Sequence, residues 1–428
     1  MHKLLVIGGA GDMVTVTIKA FLEYDDDSKL TIADFDSEKL NARRQEYGDP
    51  SRAEFIQADL FDRKQMRALI AESNLVLNAA GPYYKTALPV IELCKEQKVN
   101  YCDFNDEPDA SMATIKMHDE IKASGIGVYL GLGASPGLSN IMAKELIEAL
   151  DEAEGIDTVW CTGDEGAIPY GRAVIAHAIG IFGGHAEAES FKDGEITRIP
   201  SFVLAEKVPF TGPLGDHMVF ELAHPEPLTI SHYYPQLKQV RNLGGLHPQP
   251  QNGLFRGLSQ AVCRNNLSLD EAIDFVQDIM AGKFGSLKCW RHGWQGMRRQ
   301  VKNGECSESE FWDFVWKGLR GKHYEFKGGL FVRAWGRKDG HQITLVRRTV
   351  SSGPGTFFKN MAAVTGTPFA ALSRMVLDGK ADPEFRKGVF SPEAWVDVPT
   401  FYQYMGRYGV PEEDLMEPIY HESQAEIP

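Results

Sequence analysis

Three glycines, Gly8, Gly9 and Gly11, stand within four positions. They follow the apolar run Leu4-Leu5-Val6-Ile7 and precede a further apolar segment that opens at Met13. A buried strand, a tight turn and a helix start, in that order, present backbone N–H groups where a pyrophosphate can be received. Gly9 and Gly11 fit the first two glycines of G-x-G-x-x-G, with Asp12 and Met13 completing the turn. Val14 holds the third position, where glycine would let helix and strand approach closely. The next strand ends in Asp34, 23 residues beyond Gly11, near the spacing of about 20 at which an acid meets the ribose. Phe35 and Asp36 follow. Carboxylates at Asp34 and Asp36 repel a 2′-phosphate, so NAD is the expected cofactor. NADP is possible if Arg43 or Arg44 reaches back. The plainer alternative for Asp34 is a cap for the helix at Ser37.

Further groups gather at later strand ends. Asp59 follows the third strand, beside the adenine or merely as an N-cap. Asn78-Ala79-Ala80-Gly81-Pro82 after the fourth offers small residues against which the nicotinamide half can lie. Tyr83, Tyr84 and Lys85 come next. A tyrosine can donate a proton, and a lysine can steer a carboxylate; an aromatic staple with a solvated lysine is the structural alternative. After the fifth strand, Asp103, Asp106 and Glu107 fall at the same edge. A carboxylate there can hold an amine or act as base in an amine–iminium interconversion. For Asp106 and Glu107 capping ahead of Pro108 is the alternative, and for Glu107 it is preferred.

These groups need a scaffold that brings strand ends together, and residues 1–130 supply the pattern. Strands are expected at Leu4–Gly8, Lys29–Ala33, Glu54–Ala58, Leu75–Ala79, Asn100–Phe104 and Gly127–Leu130. Helices are expected at Met13–Tyr24, Ser37–Tyr47, Arg63–Glu72, Thr86–Gln97 and Ala110–Ser124. Such alternation implies right-handed crossovers and a doubly wound parallel sheet of the Rossmann type, with ligands at the carboxyl ends of the strands.

The chain has 428 residues, enough for two domains. Net charge is −14, from 59 acids against 45 lysines and arginines, so the bulk field repels nucleic acid and anionic membranes. No apolar run reaches the about 20 residues of a membrane span. The N-terminus runs straight into a strand, unlike a signal peptide. Six cysteines are scattered without a C-x-x-C pair, which reads as free thiols in a reducing cytoplasm.

Gly131–Gly137 is a breaker cluster and the first expected boundary; Gly353-Pro354-Gly355 is the second. Between them a helix is expected at Leu138–Leu150, and Ser268 and Ser307-Glu308-Ser309-Glu310 read as helix starts. Lys192-Asp193-Gly194 and Lys338-Asp339-Gly340 read as hairpin turns, the latter inside Leu330–Thr349. An inserted α+β domain with a largely antiparallel sheet is expected. Tyr170-Gly171-Arg172 opens a helix over Ala173–Phe182. Arg172 can clamp a substrate carboxylate, although a surface arginine is the commoner outcome. His177 and His185 do not share helical turns, so no metal is expected. Lys283–Lys302 is basic with interleaved aromatics, including Lys288, Trp290, Arg291, Trp294 and Arg298; it could meet an anionic substrate or a partner subunit, or be a solvated helix face. Thr367-Pro368 looks like a cap and first turn of a helix ending at Gly379. Glu422–Pro428 reads as a loose tail.

Taken in order, GGAGDM (8–13), TIADFD (31–36), VLNAAGPYYKTALPVIELCKEQKVNYCDFNDE (76–107) and GLGASPGLSN (131–140) resemble the saccharopine dehydrogenase-like (saccharopine reductase-type) family. Its members read like GGAGxMG, VxNAxGPF, HYxDxxDE and GxxPGxxN. The segment 365–393 is similar to that family's C-terminal return to the nucleotide domain. The likeness is strong over 1–145, fair over about 355–400 and vague between. It implies a Rossmann domain at 1–135 and 355–428, with a substrate-binding and dimerisation domain at 136–354. It also implies NAD(P)-dependent hydride transfer at a carbon–nitrogen bond of an amino acid or amino acid–polyamine conjugate. By position, Gly9, Gly11, Met13, Asp34, Asp59, Asn78, Ala79, Gly81 and Pro82 would line the cofactor. Tyr83, Tyr84 and Asp103 would face the reacting carbon. Val14 departs from the pattern, as does Phe35, where many relatives carry Arg.

The expected protein is thus a cytoplasmic oxidoreductase, a homodimer by family tendency. It positions an amino acid-like substrate between the Gly81–Lys85 loop and Asp103, with Lys85, Asp106 and Arg172 as substrate contacts. Two rivals share the cofactor turn. One is an enoyl-type C=C reductase, which would need an apolar channel. The other is a non-catalytic nucleotide sensor, which would lack converging polar groups.

Overall fold

The structure is a computed structural model that describes residues 1–48, 50–163, 171–181, 187–350, 352–353 and 355–422. The chain divides into two compact units, Met1–Glu145 with Met361–Leu415, and Leu146–Asn360 with the segment from Met416 on.

The first unit alternates as its apolar periodicity dictates: β1 (His2–Ile7), α1 (Thr15–Tyr24), β2 (Ser28–Asp34), α2 (Ser37–Glu46), β3 (Ala53–Gln57), α3 (Arg63–Ala71), β4 (Leu75–Asn78), α4 (Tyr83–Gln97), β5 (Asn100–Asp103), α5 (Pro108–Ile115), α6 (His118–Ser124), β6 (Gly127–Tyr129) and α7 (Leu138–Glu148). Among the described residues the strands form a seven-stranded sheet in the order β15-β6-β5-β4-β1-β2-β3, with β15 at Gly388–Phe390. Every pairing is parallel. Leu4 to Ile7 are buried on both faces of the central strand, as a continuous apolar run in a covered parallel sheet must be. One face packs Leu5, Val76, Tyr101 and Val128 against Met66, Ile70 and Ile91. The order reverses between β1 and β4, and their carboxyl ends open the crevice in which this architecture takes ligands.

The returning segment adds α14 (Met361–Leu377), α15 (Pro392–Trp395), α16 (Val398–Arg407) and α17 (Glu412–Leu415). Helices α1 and α14 meet at Gly366, where an added Cβ would lie 2.9 Å from Val16 Cβ and 3.1 Å from the Met13 carbonyl. Thr17 Oγ1 donates to the Gly366 carbonyl at 2.9 Å. Val14 sits buried at the N-cap of α1.

The second unit comprises β7 (Glu152–Gly163), α8 (Arg172–Ile181), β8 (Glu187–Lys192), β9 (Glu195–Pro200), β10 (Val203–Pro209), β11 (Asp216–Glu221), α9 (Glu226–Tyr233), β12 (Gln239–His247), α10 (Pro250–Cys263), α11 (Leu269–Met280), α12 (Leu287–Lys302), α13 (Glu308–Leu319), β13 (Gly329–Lys338), β14 (His341–Arg348) and β16 (Tyr420–Glu422). Its sheet is mixed: β7 and β12 pair in parallel, and the other pairings are antiparallel. Asp193-Gly194 and Asp339-Gly340 carry positive φ at both central positions, the turn that matches hairpin twist. Ser268 and Ser307 each close a capping box. Helices α10 and α12 cross at backbone contact, since a Cβ on Gly257 would lie 2.1 Å from the His292 carbonyl and one on Gly296 would lie 2.0 Å from the Gly253 carbonyl.

Several expectations shift. The first boundary falls within α7 rather than at 135, because Leu138–Glu145 stays packed with the first unit. Residues 355–360 and those from Met416 belong to the second unit, where β16 pairs with β14. Helix α4 starts at Tyr83, three residues before the expected Thr86. The expected helix over Ala110–Ser124 breaks at Met117 into α5 and α6. Thr367-Pro368 does not start a helix: α14 begins at Met361 and keeps Pro368 inside. The missing N–H costs one bond to Val364, and burial of nearly the whole helix surface outweighs it. Tyr170, Phe182, His185, Pro354 and the residues after Glu422 lie outside the described residues.

Candidate functional site

The glycine turn is shaped by its neighbours. Gly8 takes φ +75°, and a Cβ there would lie 2.8 Å from the Ala80 nitrogen. A Cβ on Gly9 would lie 2.4 Å from Ile32 Cγ2. Neither position admits a side chain, so the turn folds tightly between β2 and the β4 end. The amides of Gly8 and Gly9 donate to the Ala33 carbonyl at 2.9 and 3.0 Å, and that of Gly11 to the Gly8 carbonyl at 3.0 Å. Among the described residues the amides of Asp12 and Met13 donate to no protein group, and the first turn of α1 carries no acid. Unfilled donors at the positive end of a helix fit a pyrophosphate.

Asp34 binds both sides of the turn. Its Oδ2 accepts the Ala10 N–H and its Oδ1 the Asp36 N–H, each at 3.0 Å. A carboxylate has about four acceptor positions, so capacity remains for ribose hydroxyls. Asp34 does not cap α2; Asp36 does, accepting from Glu38 and Lys39. Phe35 is 76% exposed, a bare aromatic ring at the strand end. Arg43 reaches back to the turn: Nε donates to the Ala10 carbonyl at 3.3 Å, Nη2 to Asp12 at 2.5 Å and Nη1 to Glu46 at 2.6 Å. It offsets the charge of Asp12 beside the anion site, a role the spacing alone does not reveal. Asp59 is exposed and accepts the Phe61 N–H at 2.9 Å; the cap of α3 is Asp62.

At the β4 end, Ala79 N–H donates to the Ile7 carbonyl at 2.8 Å, which ties β4 to β1. Gly81 is exposed with open space where a side chain would stand, and the Gly81–Pro82 bond is cis. Buried Asn78 donates from Nδ2 to Tyr101 Oη at 3.0 Å, and Tyr101 donates to Asp103 Oδ2 at 2.9 Å. Asp103 Oδ1 accepts the Asn105 and Gly131 amides at 3.1 and 2.9 Å. Burial pushes the Asp103 carboxyl up to about 6, and the two amides pull against that shift. With both oxygens engaged and no exposure, Asp103 locks the ends of β4, β5 and β6 together. Tyr101, two residues earlier on the same strand face, is the unnoticed partner; the i, i+2 spacing was its only signal.

Tyr83 and Tyr84 part company. Tyr83 is buried, its ring edge-on to Phe104, its hydroxyl donating to the Asn78 carbonyl at 3.3 Å. Burial holds its phenol well above the usual range. Tyr83 is thus a packing residue that does not face a reacting carbon. Tyr84 is 61% exposed, with Lys85 Nζ 5.4 Å from its ring centre. Glu107 caps a helix other than the one it precedes: its carboxylate accepts the Tyr83 and Tyr84 amides at 2.9 and 2.8 Å, closing the N-terminus of α4. Asp106 is half-buried beside it.

Arg172 belongs to another setting. Its guanidinium pairs with Asp270 at 2.6 Å and with Asp274, both exposed carboxylates on α11 of its own unit. The basic stretch is the outer face of α12, with Lys288 on Glu271 at 2.9 Å and Arg298 on Glu308 at 2.6 and 2.8 Å. Among the described residues no helix is long and apolar enough to cross a membrane.

Residues 4–128 match the family model of the saccharopine dehydrogenase NADP binding domain. Among solved structures, the fold is similar to apo histidine-tagged saccharopine dehydrogenase (L-Glu forming) from Saccharomyces cerevisiae. The two share 15% identity at a TM-score of 0.64, covering 99% of this chain and 100% of that one. A probable dehydrogenase from Thermotoga maritima aligns over 96% of both chains at 10% identity, with a TM-score of 0.42. At such identities the likeness is one of fold. The matched domain agrees with the motif string, and residues 4–128 form an NAD(P)-binding domain.

Proposed function

We propose that this oxidoreductase transfers hydride at a carbon–nitrogen bond of an amino acid or amino acid–polyamine conjugate, with NAD preferred over NADP. What supports this is Asp106, half-buried at the end of β5, the strand that pairs with β4 ahead of the bare Gly81 backbone. A cationic amine is the group such an acidic edge stabilises. The bound nicotinamide supplies the hydride acceptor or donor. Asp106 would hold the amine, and Lys85 would meet a substrate carboxylate. Asp106 and Tyr84 are the groups available to exchange the amine proton, while Asp103 acts on them only as a positioning residue. The NAD preference follows from the carboxylates of Asp34 and Asp36; NADP stays the alternative, because Arg43 does reach back to the turn, where it bonds Asp12 and Ala10.

The test is a screen of amino acids, and of keto acid plus amine pairs, read as NAD(P)H absorbance. Turnover with a nitrogen substrate is expected. Enoyl reduction with no nitrogen substrate turned over would contradict the proposal in favour of a C=C reductase.

A further inference from the structure

The second unit carries a basic and aromatic face that the dinucleotide reading leaves unused. On α12, Leu287, Arg291, Trp294 and Arg298 stand at i, i+4, i+7 and i+11, along one stripe of the helix. Cys289, Gly293, Gly296 and Met297, on the other side, are buried. On α13, Trp312, Trp316 and Leu319, at i, i+4 and i+7, form a second exposed stripe. Leu287 is 74% exposed and Trp316 56%. Trp294 joins the two stripes: its ring centre lies 5.9 Å from that of Trp312 and 4.9 Å from that of Phe311. Phe284, just ahead of α12, adds another exposed ring.

The charge of this face runs against that of the chain. From Lys283 to Lys322, nine lysines and arginines stand against four acids, in a chain with 59 acids against 45 basic residues. The neighbouring carboxylates are already paired: Glu271 with Lys288, Glu308 with Arg298, Asp313 with Lys317, and Asp270 and Asp274 with Arg172. Among the described residues Arg291, Arg299, Lys302 and Lys322 meet no carboxylate, so a positive surplus is left on the face. The bulk negative charge opposes an anionic surface at a distance. Screening confines exposed charges to about 8 Å at physiological ionic strength, so a surface in contact meets the local surplus.

Indole rings favour the boundary between water and hydrocarbon, where the ring is covered and its N–H stays wet. Lysines and arginines beside them attract anionic headgroups. A second copy of the chain, docked through the same face about a two-fold axis, would set the surplus cations of both copies against one another. We propose that the outer face of α12 and α13 binds the surface of an anionic phospholipid bilayer, lying in its interface without crossing it. Leu287, Trp312, Trp316 and Leu319 enter the headgroup layer, and Arg291, Arg299 and Lys302 meet lipid phosphates. The inference stands apart from the proposed reaction and requires no substrate.

The test is cosedimentation of the full chain with vesicles of equal parts phosphatidylcholine and phosphatidylglycerol, and with vesicles of phosphatidylcholine alone. Binding to the anionic vesicles is expected, weakened by salt, and at least about tenfold tighter than to the neutral ones. Tryptophan emission should shift to the blue on binding. The combined variant Arg291→Gln, Arg299→Gln, Lys302→Gln removes charge at exposed positions. It should weaken binding by about a hundredfold, at about fivefold per charge, with circular dichroism unchanged. Trp312→Ser with Trp316→Ser should weaken it by at least about tenfold through lost apolar contact. Trp312 packs on Phe311, so the charge variant keeps the test decisive if the tryptophan variant fails to fold. Failure of the wild type to bind the anionic vesicles would overturn the proposal, as would equal binding by the wild type and the charge variant. So would dimerisation without lipid that Trp316→Ser abolishes, which would assign the face to a second copy.

Discussion

At Asp34 one carboxylate fastens the glycine turn to the start of α2 and retains acceptor capacity for a ribose. Asp34→Asn keeps the side-chain shape and removes the charge. Hydrogen bonds to charged groups contribute about 1.5–3 kcal/mol, so NAD affinity should fall by about tenfold or more, measured by calorimetry, with the melting temperature little changed. Asp103 makes a different prediction. Its folded pKa, about 6, lies above the ordinary carboxylate value. The folded state therefore binds the proton more tightly, and stability linked to this group is present at low pH and is lost as pH rises from about 4 through 6. Asp103→Asn should flatten the dependence of unfolding free energy on pH in that window, measured by urea titration; an unchanged slope would remove Asp103 as its source. These two residues also mark what one sequence discloses. Asp34 was legible because strand, turn and acid follow each other at a fixed spacing. The roles of Arg43, Glu107 and Tyr101 were not, because each acts across the fold on a group from another element.

At the scale of elements, local pattern located strands and hairpin turns well, since period-2 alternation and Asp-Gly pairs are decided within a few residues. Helix starts were harder. Glu107 moves the start of α4 back to Tyr83 by supplying a cap from the β5 loop, and α14 runs through Pro368 because burial outweighs one lost hydrogen bond. The α1–α14 contact is a close helix–helix approach at Gly366, distinct from the helix–strand packing in which Val14 is buried. Gly366→Ala should force the two helices apart against Val16 and the Met13 carbonyl, destabilising by about 1–3 kcal/mol as overpacked cores do. It should also weaken dinucleotide binding, because the displaced residues adjoin the turn. Denaturant midpoints and NAD titration check both effects; an unaffected midpoint would show that the crossing has slack. The α10–α12 crossing through Gly253, Gly257, Gly293 and Gly296 was also unread, since glycines inside helices carry no periodic signal.

For the whole molecule, composition excluded more than it identified. Acidic charge and the lack of a membrane-length apolar run set aside nucleic acid and membrane spans; the glycine turn, Asp34 and the strand–helix alternation pointed to a dinucleotide-binding domain, and the parallel sheet with its matched domain agrees. The second unit resisted because mixed sheets and solvated helices repeat patterns common to many folds; its parallel β7–β12 pair could not be distinguished from the antiparallel hairpins around it. A dinucleotide at the β1 turn with its ribose on Asp34 is tested most directly by titration of the full chain with NADH and, separately, NADPH, followed by nucleotide fluorescence. Saturable binding of one NADH per chain, tighter than NADPH, is predicted. Absence of saturable binding by either nucleotide would contradict the account.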